Sequence, residues 1–129
     1  MTSSGSFQKT VDTMLIRHQS ILDILAKNQE ASARVTRAVT KAVTSCGCLS
    51  IEARKEPIPE NATISDLKKL LSSHVTGILC PNCLETIEAE LGRQMFYLAA
   101  LANTLNLSLD NAVEREEDML KTLTVFTMR

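Results

Sequence analysis

The sequence predicts an all-α protein, a bundle of four to five helices in a single domain over residues 1–129, and three observations carry that expectation. Aromatic residues make up only 3%, with no Trp and one Tyr, whereas strands draw heavily on aromatic and β-branched side chains. Only 4 Gly and 3 Pro punctuate 129 residues. Long segments repeat apolar residues at intervals of three and four, the period of one helix face. At 44% the apolar fraction is ample for a packed core and too high for a disordered chain.

The first helix is expected from about Ser6 to Lys27, where Phe7, Val11, Met14, Leu15, His18, Ile21, Leu22 and Leu25 form one stripe. A second stretch, Ala31, Val35, Ala38, Val39, Ala42 and Val43, either continues it or follows a kink near Asn28. Its face is small and β-branched, which allows close approach of a neighbour. Gly47 is the expected stop. Residues 49–62 read as a loop, with an extended start at Leu49 to Ala53, because Pro57 and Pro59 remove backbone donors. Thr63-Ile64-Ser65-Asp66 has the form of a helix N-terminus, and a short helix to about Ser73 follows. Gly77 then opens a turn.

The strongest helix starts at Cys80 to Cys83, with Asn82 as its expected cap and Glu85 three residues on. Leu84, Ile87, Leu91, Leu98, Leu101 and Leu105 recur at heptad-like intervals, flanked by Met95 and Phe96. Such a surface is too broad for one neighbour, so a bundle and a homo-oligomer, most simply a dimer, are expected. Asn103 to Leu107 is a turn. Ser108 caps a last helix that carries Leu109, Ala112, Val113, Leu120 and Leu123, with Asp110 placed to meet its dipole.

Several function classes are excluded. No run of 18 apolar residues spans a membrane. Met1 to Gln8 lacks the layout of a signal peptide, so the expected compartment is the cytoplasm, where thiols stay reduced. A net charge of −1 argues against general nucleic-acid binding. The charge is nevertheless uneven: residues 1–55 carry eight Lys/Arg against four Asp/Glu, and residues 56–129 six against eleven. Opposite halves suit helix layers, or subunits, that pack together. No catalytic triad, phosphate-cradling glycine loop or H-E-x-x-H is present.

The four cysteines are the feature that asks for chemistry. Cys46-Gly47-Cys48 and Cys80-Pro81-Asn82-Cys83 supply the four thiolates of a tetrahedral zinc site, and they leave no open position for catalysis. The second pair abuts a helix N-terminus, which lowers thiol pKa and favours the ligand form. A metal there would join two helix ends and turn binding energy into folding energy. A redox pair or an iron–sulfur site is the alternative, as are four small buried apolar residues. His74, six residues before Cys80, is a further candidate ligand.

Carboxylates form a second set of candidates. Glu85 and Glu88 share a helix face, Glu88 borders the apolar stripe, and Glu116 follows Leu109, Ala112 and Val113 on the inward side of the last helix. A core-facing carboxylate needs a partner. That partner is a divalent ion such as magnesium, Arg34, Arg37 or Arg93, or His18 on its own apolar face. Internal ion pairs are the simpler solution. The run Glu114 to Asp118 reads as a solvated face.

The stretch Glu90 to Ala112, with its Phe96-Tyr97-Leu98-Ala99-Ala100-Leu101-Ala102 run, resembles the third-helix and turn region of MazG-like, all-α nucleoside triphosphate pyrophosphohydrolases. Over nearly its full length the chain also resembles a group of short bacterial proteins that share the two cysteine pairs. The MazG-like resemblance implies magnesium held by an E-x-x-E on the second helix and an E-x-x-D on the third. Glu90 matches the first acid of the latter, and Arg93 stands where the aspartate belongs. Glu30 matches one acid of the second helix, with Ala33 in place of the next. The family's Lys and Asn fall near Glu116 and Glu117.

The expected function is a zinc-stabilised, self-associating helical protein of MazG-like build with a binding or interaction role, nucleotide-related by analogy. One alternative is a magnesium-dependent nucleotide pyrophosphohydrolase using Glu85, Glu88 and Glu90, with Glu30 or Glu116 from other helices. The other is a redox or metal sensor built on Cys46, Cys48, Cys80 and Cys83.

Overall fold

The computed structural model describes residues 2–14 and 20–126. Five helices and one small ribbon follow in chain order: α1 (Ser4–Thr13), α2 (Ile21–Lys41), β1 (Leu49–Ile51), α3 (Ile64–Leu70), β2 (Val75–Gly77), α4 (Pro81–Thr104) and α5 (Leu109–Phe126). A π-helical turn, Ala42–Cys46, extends α2. Among the described residues no helix is long and apolar enough to cross a membrane.

The expected first helix is two. The Ser3 side chain accepts from the Ser6 N–H and starts α1. The Ser20 side chain accepts from Leu22 N–H and starts α2, with Asp23 in its first turn. The break thus falls ahead of Ile21, and α2 runs through Asn28 without a kink. Leu15 and His18 lie outside the described residues.

The Thr63 start of α3 is a full capping box: Thr63 Oγ1 accepts from Asp66 N–H and Asp66 Oδ2 from Thr63 N–H, each at 3.1 Å. The helix ends at Leu70, three residues short of expectation. Val75–Gly77, read as the approach to a turn, pairs antiparallel with Leu49–Ile51 in the register Leu49↔Gly77, Ser50↔Thr76, Ile51↔Val75. The fold is therefore mostly helical, with a two-stranded ribbon that the all-α expectation lacked.

α2 and α4 pack along each other, and α1 lies against α4. The buried centre is Val11, Ile24, Ala99 and Ala100, with Phe7, Phe96, Leu101 and Leu109 packed around it. Alanines at 31, 42, 99, 100 and 102 are buried, so the backbones approach closely. Among the described residues only Ile24 and Val11 are large side chains with less than 2% exposure. A core this lean is a reason to look for an additional staple.

Gln8 ties α1 to the turn between α4 and α5. Its Nε2 donates to Asn103 Oδ1 at 2.9 Å and to the Leu107 carbonyl at 2.6 Å. Its Oε1 accepts from Leu109 N–H at 2.8 Å, which satisfies one of the free donors at the start of α5. Ser108 Oγ accepts from Asn111 N–H, the cap expected there. The Ser4 hydroxyl donates to Asp110, a second link between α1 and α5. Beyond this anchored first turn α5 is exposed along its described side chains as far as Thr122.

Candidate metal centre

Three local structures bring the cysteines together. The first is the end of α2. The π-helical turn closes with Gly47 N–H donating to the Ala42 carbonyl at 2.9 Å. Gly47 stands at φ 82°, the left-handed region that glycine enters without steric cost. The chain reverses around this glycine, so Cys46 and Cys48 flank one corner. Cys48 Sγ lies 3.8 Å from the Ala42 carbonyl oxygen.

The second is the ribbon. Pairing Leu49 with Gly77 carries the residues just before β1 alongside those just after β2. Gly77 has φ 98°, and a Cβ there would collide with the Cys48 carbonyl. Glycine is required at this position on both counts.

The third is the start of α4. Its N-cap is Cys80, not the expected Asn82: Cys80 Sγ accepts from Cys83 N–H at 3.4 Å, and Pro81 occupies the first helical position. Proline is favoured there because it has no N–H to leave unsatisfied.

The outcome is one group. Sγ of Cys46 and Sγ of Cys80 lie 3.7 Å apart, and all four sulfurs fall within 4.8 Å of one another. A tetrahedral ion with metal–sulfur bonds of about 2.3 Å needs sulfur–sulfur edges of about 3.8 Å. The four thiols can hold a metal ion with little adjustment. Cys46 is exposed and the other three are half-buried, so an ion can enter from solvent.

The thiols also set one another's protonation. The Cys83 N–H and the neighbouring Cys83 thiol lower Cys80 to about 7 from an ordinary 9.0. Cys83 is pushed up to about 12, first because its thiol bonds to the Cys80 sulfur and then by burial. At Cys46 the Cys48 N–H lowers the value, but the bonds to the Cys80 and Cys48 thiols and burial raise it on balance. Cys80 is thus the first to ionise. A cation among the four sulfurs removes the competition, since each thiolate then faces positive charge.

His74 is not one of this group. Its Nε2 lies 2.6 Å from Glu56 Oε1. His74 stands at φ 60°, with its carbonyl accepting from Glu52 N–H at 2.8 Å. The His74–Glu56 pair closes the connection between β1 and β2, which carries α3.

The carboxylates are dispersed. Glu88 and Glu116, expected at core-facing edges, are both exposed, as is Glu85. Among the described residues the cysteines are the one group of three or more possible metal ligands that come together. Glu30 pairs with Lys27 at 3.1 Å. Glu90 is held by Arg34, with Nε to Oε2 at 2.9 Å and a second bond at 3.3 Å, and Arg93 lies 3.7 Å away. Its carboxyl is held below the ordinary range, first by the Arg34 hydrogen bond. Two guanidinium groups occupy the oxygens that a magnesium ion would need. Ion pairing, the simpler solution, is realised at Glu90, a residue for which no arginine partner was expected.

No family model, no curated protein and no solved structure matches the chain.

Proposed function

We propose that the chain is a zinc-stapled helical interaction protein, in which Cys46, Cys48, Cys80 and Cys83 bind one structural Zn2+ that fixes the end of α2 to the start of α4. The observation that carries this reading is the convergence of four sulfurs within 4.8 Å from two segments 31 residues apart. Four sulfur donors in tetrahedral reach select zinc, or a single iron, over hard cations. A polynuclear iron–sulfur cluster places its core between the thiolates and needs them farther apart. Four protein ligands fill the coordination sphere, so the ion acts in folding and holds no reacting water.

Function then resides in the helix faces. The MazG-like resemblance favours a self-associating bundle of nucleotide-related ancestry. Pyrophosphohydrolysis is not favoured, because Glu90 is engaged by Arg34 and Arg93, and Glu85, Glu88 and Glu116 stand apart.

A specific observation supports a second role for the same thiols. Cys46 Sγ and Cys80 Sγ lie 3.7 Å apart, and Cys46 is exposed to solvent. A two-electron oxidant such as a peroxide would join those sulfurs as a disulfide and release the ion, which describes a redox sensor.

Metal analysis of the as-purified, reduced chain tests the main reading. One zinc per chain is expected, with loss of zinc in Cys48→Ser. Absence of any near-stoichiometric metal overturns it. Pyrophosphate release from nucleotides with magnesium would restore the enzyme alternative.

A further inference from the structure

Along α4, Leu84, Leu91 and Leu98 are spaced seven residues apart, Leu105, which caps the end of the helix, continues the spacing, and Met95 lies on the same side. At 100° per residue these five fall within about 80° of the helix circumference. All five are exposed: Leu84 44%, Leu91 44%, Met95 53%, Leu98 40% and Leu105 48%. α4 meets the rest of the chain through Ala99 and Ala100 at the core and Glu90 against Arg34, and Ile87 and Ala102, on the same arc as the stripe, are buried as well. A seven-residue apolar repeat serves helix pairing. Among the described residues these five large side chains keep about half of their surface in solvent.

We propose that α4 packs antiparallel on α4 of a second copy of this chain, with Leu84, Leu91, Met95, Leu98 and Leu105 as the seam of a two-fold symmetric dimer. This names the partner within the interaction reading and rests on it, but it does not rest on the metal. Two arguments select a second copy over an unrelated partner.

The first is symmetry. A two-fold contact must be self-complementary. A two-fold axis passing between Gln94 and Met95 sets Leu91 against Leu98 of the partner subunit. It likewise sets Leu84 against Leu105 of the partner subunit. Met95 lies beside the axis, where its flexible thioether packs against itself. The stripe is its own mate in the reversed direction.

The second is area. A half-exposed Leu or Met shows on the order of 80 Å2 of apolar surface, so the seam offers about 400 Å2 per protomer. A standard interface buries about 800 Å2 per partner, of which a little over half is apolar. The seam supplies most of that apolar share. Val113 and Met119 on α5, 53% and 49% exposed, are further apolar groups outside the monomer's core. A patch of about 400 Å2 is the size of the largest apolar patch on a typical monomer, and such a patch is often a contact site.

Sedimentation velocity on the full, metal-replete chain tests the proposal, with metal content measured on the same samples. The expected species at micromolar concentration is a dimer, twice the 14.2 kDa chain mass. Leu91→Glu and Leu98→Lys, each alone, are expected to weaken association at least 100-fold while leaving helical content and metal content unchanged. Mixed in equal amounts, the two variants are expected to recover a dimer, because the new carboxylate of one faces the new ammonium of the other. A wild-type monomer across the concentration range overturns self-association and leaves the stripe to a different protein. Variants that remain dimeric overturn the seam. A mixture that stays monomeric overturns the antiparallel register. A monomer that keeps stoichiometric metal fails this inference alone, whereas a chain without metal fails the zinc reading.

Discussion

Removing the metal should cost the fold about as much as cutting a long-range cross-link. The inner ligands, Cys48 and Cys80, enclose 31 residues, which include β1, α3 and β2. Treated as a cross-link closing a loop of that length, the ion restricts the unfolded chain by about 3.7 kcal/mol at 25 °C. A chain of 129 residues unfolds with an entropy near 0.27 kcal/mol/K, so Tm should fall by about 14 °C. The effect is large for this protein because, among the described residues, only Ile24 and Val11 are large side chains that are essentially fully buried. The assay is a circular dichroism melt of the reduced chain before and after chelation, and again after zinc is restored. Recovery of the original Tm on adding zinc is expected. A metal-free protein that melts within about 3 °C of the loaded one would refute the staple.

Three further outcomes follow from the geometry. In the metal-free, reduced protein Cys80 should alkylate first, at a rate that climbs as pH rises through about 7, and Cys83 last, since it is pushed up to about 12; mass spectrometry of peptides after limited iodoacetamide treatment reads the order. Glu90→Gln should lower Tm, less so in high salt, because Arg34 loses a charged partner. The folded Glu90 value is depressed, so its contribution is fully present above the ordinary 4.5 and is lost as pH falls through the lowered value; melts of both proteins across acidic pH should converge there. Gln8→Ala removes three side-chain hydrogen bonds and leaves the Leu109 N–H without its acceptor, a loss of about 2 kcal/mol; denaturant unfolding checks it, and hydrogen exchange should rise first at the start of α5.

What the sequence made legible was set by how local each cause is. Thr63 with Asp66, and Gly47 at the end of a stretch with helical apolar spacing, act within a few residues, and both read correctly. The cysteine pairs were legible as ligands because spacing and residue type carry the chemistry. The cap at Cys80 could have been found, since proline at the first helical position makes the residue before it the cap. The helix break before Ile21 was hidden because the apolar stripe continues across it, and Ser20 reads as one more polar residue in that stripe. The ribbon was hidden for a different reason. The extended start at Leu49 was legible, but its pairing with Val75–Gly77 was not, because strands of three residues each are too short for any period and the partners lie far apart in the chain. The carboxylates misled most. Periodicity placed Glu88 and Glu116 at an inner edge, but the α4 stripe that includes Leu84 and Leu91 is exposed, so a residue bordering it is exposed too. Glu90 carried the link between helices, through an arginine 56 residues away that no local pattern indicates.

X-ray absorption at the zinc edge on the as-purified, reduced protein reads the four-thiolate zinc site itself. One zinc per chain with four sulfur neighbours at about 2.3 Å and no nitrogen or oxygen ligand is expected. A first shell containing nitrogen or oxygen, or the absence of stoichiometric metal, would contradict it.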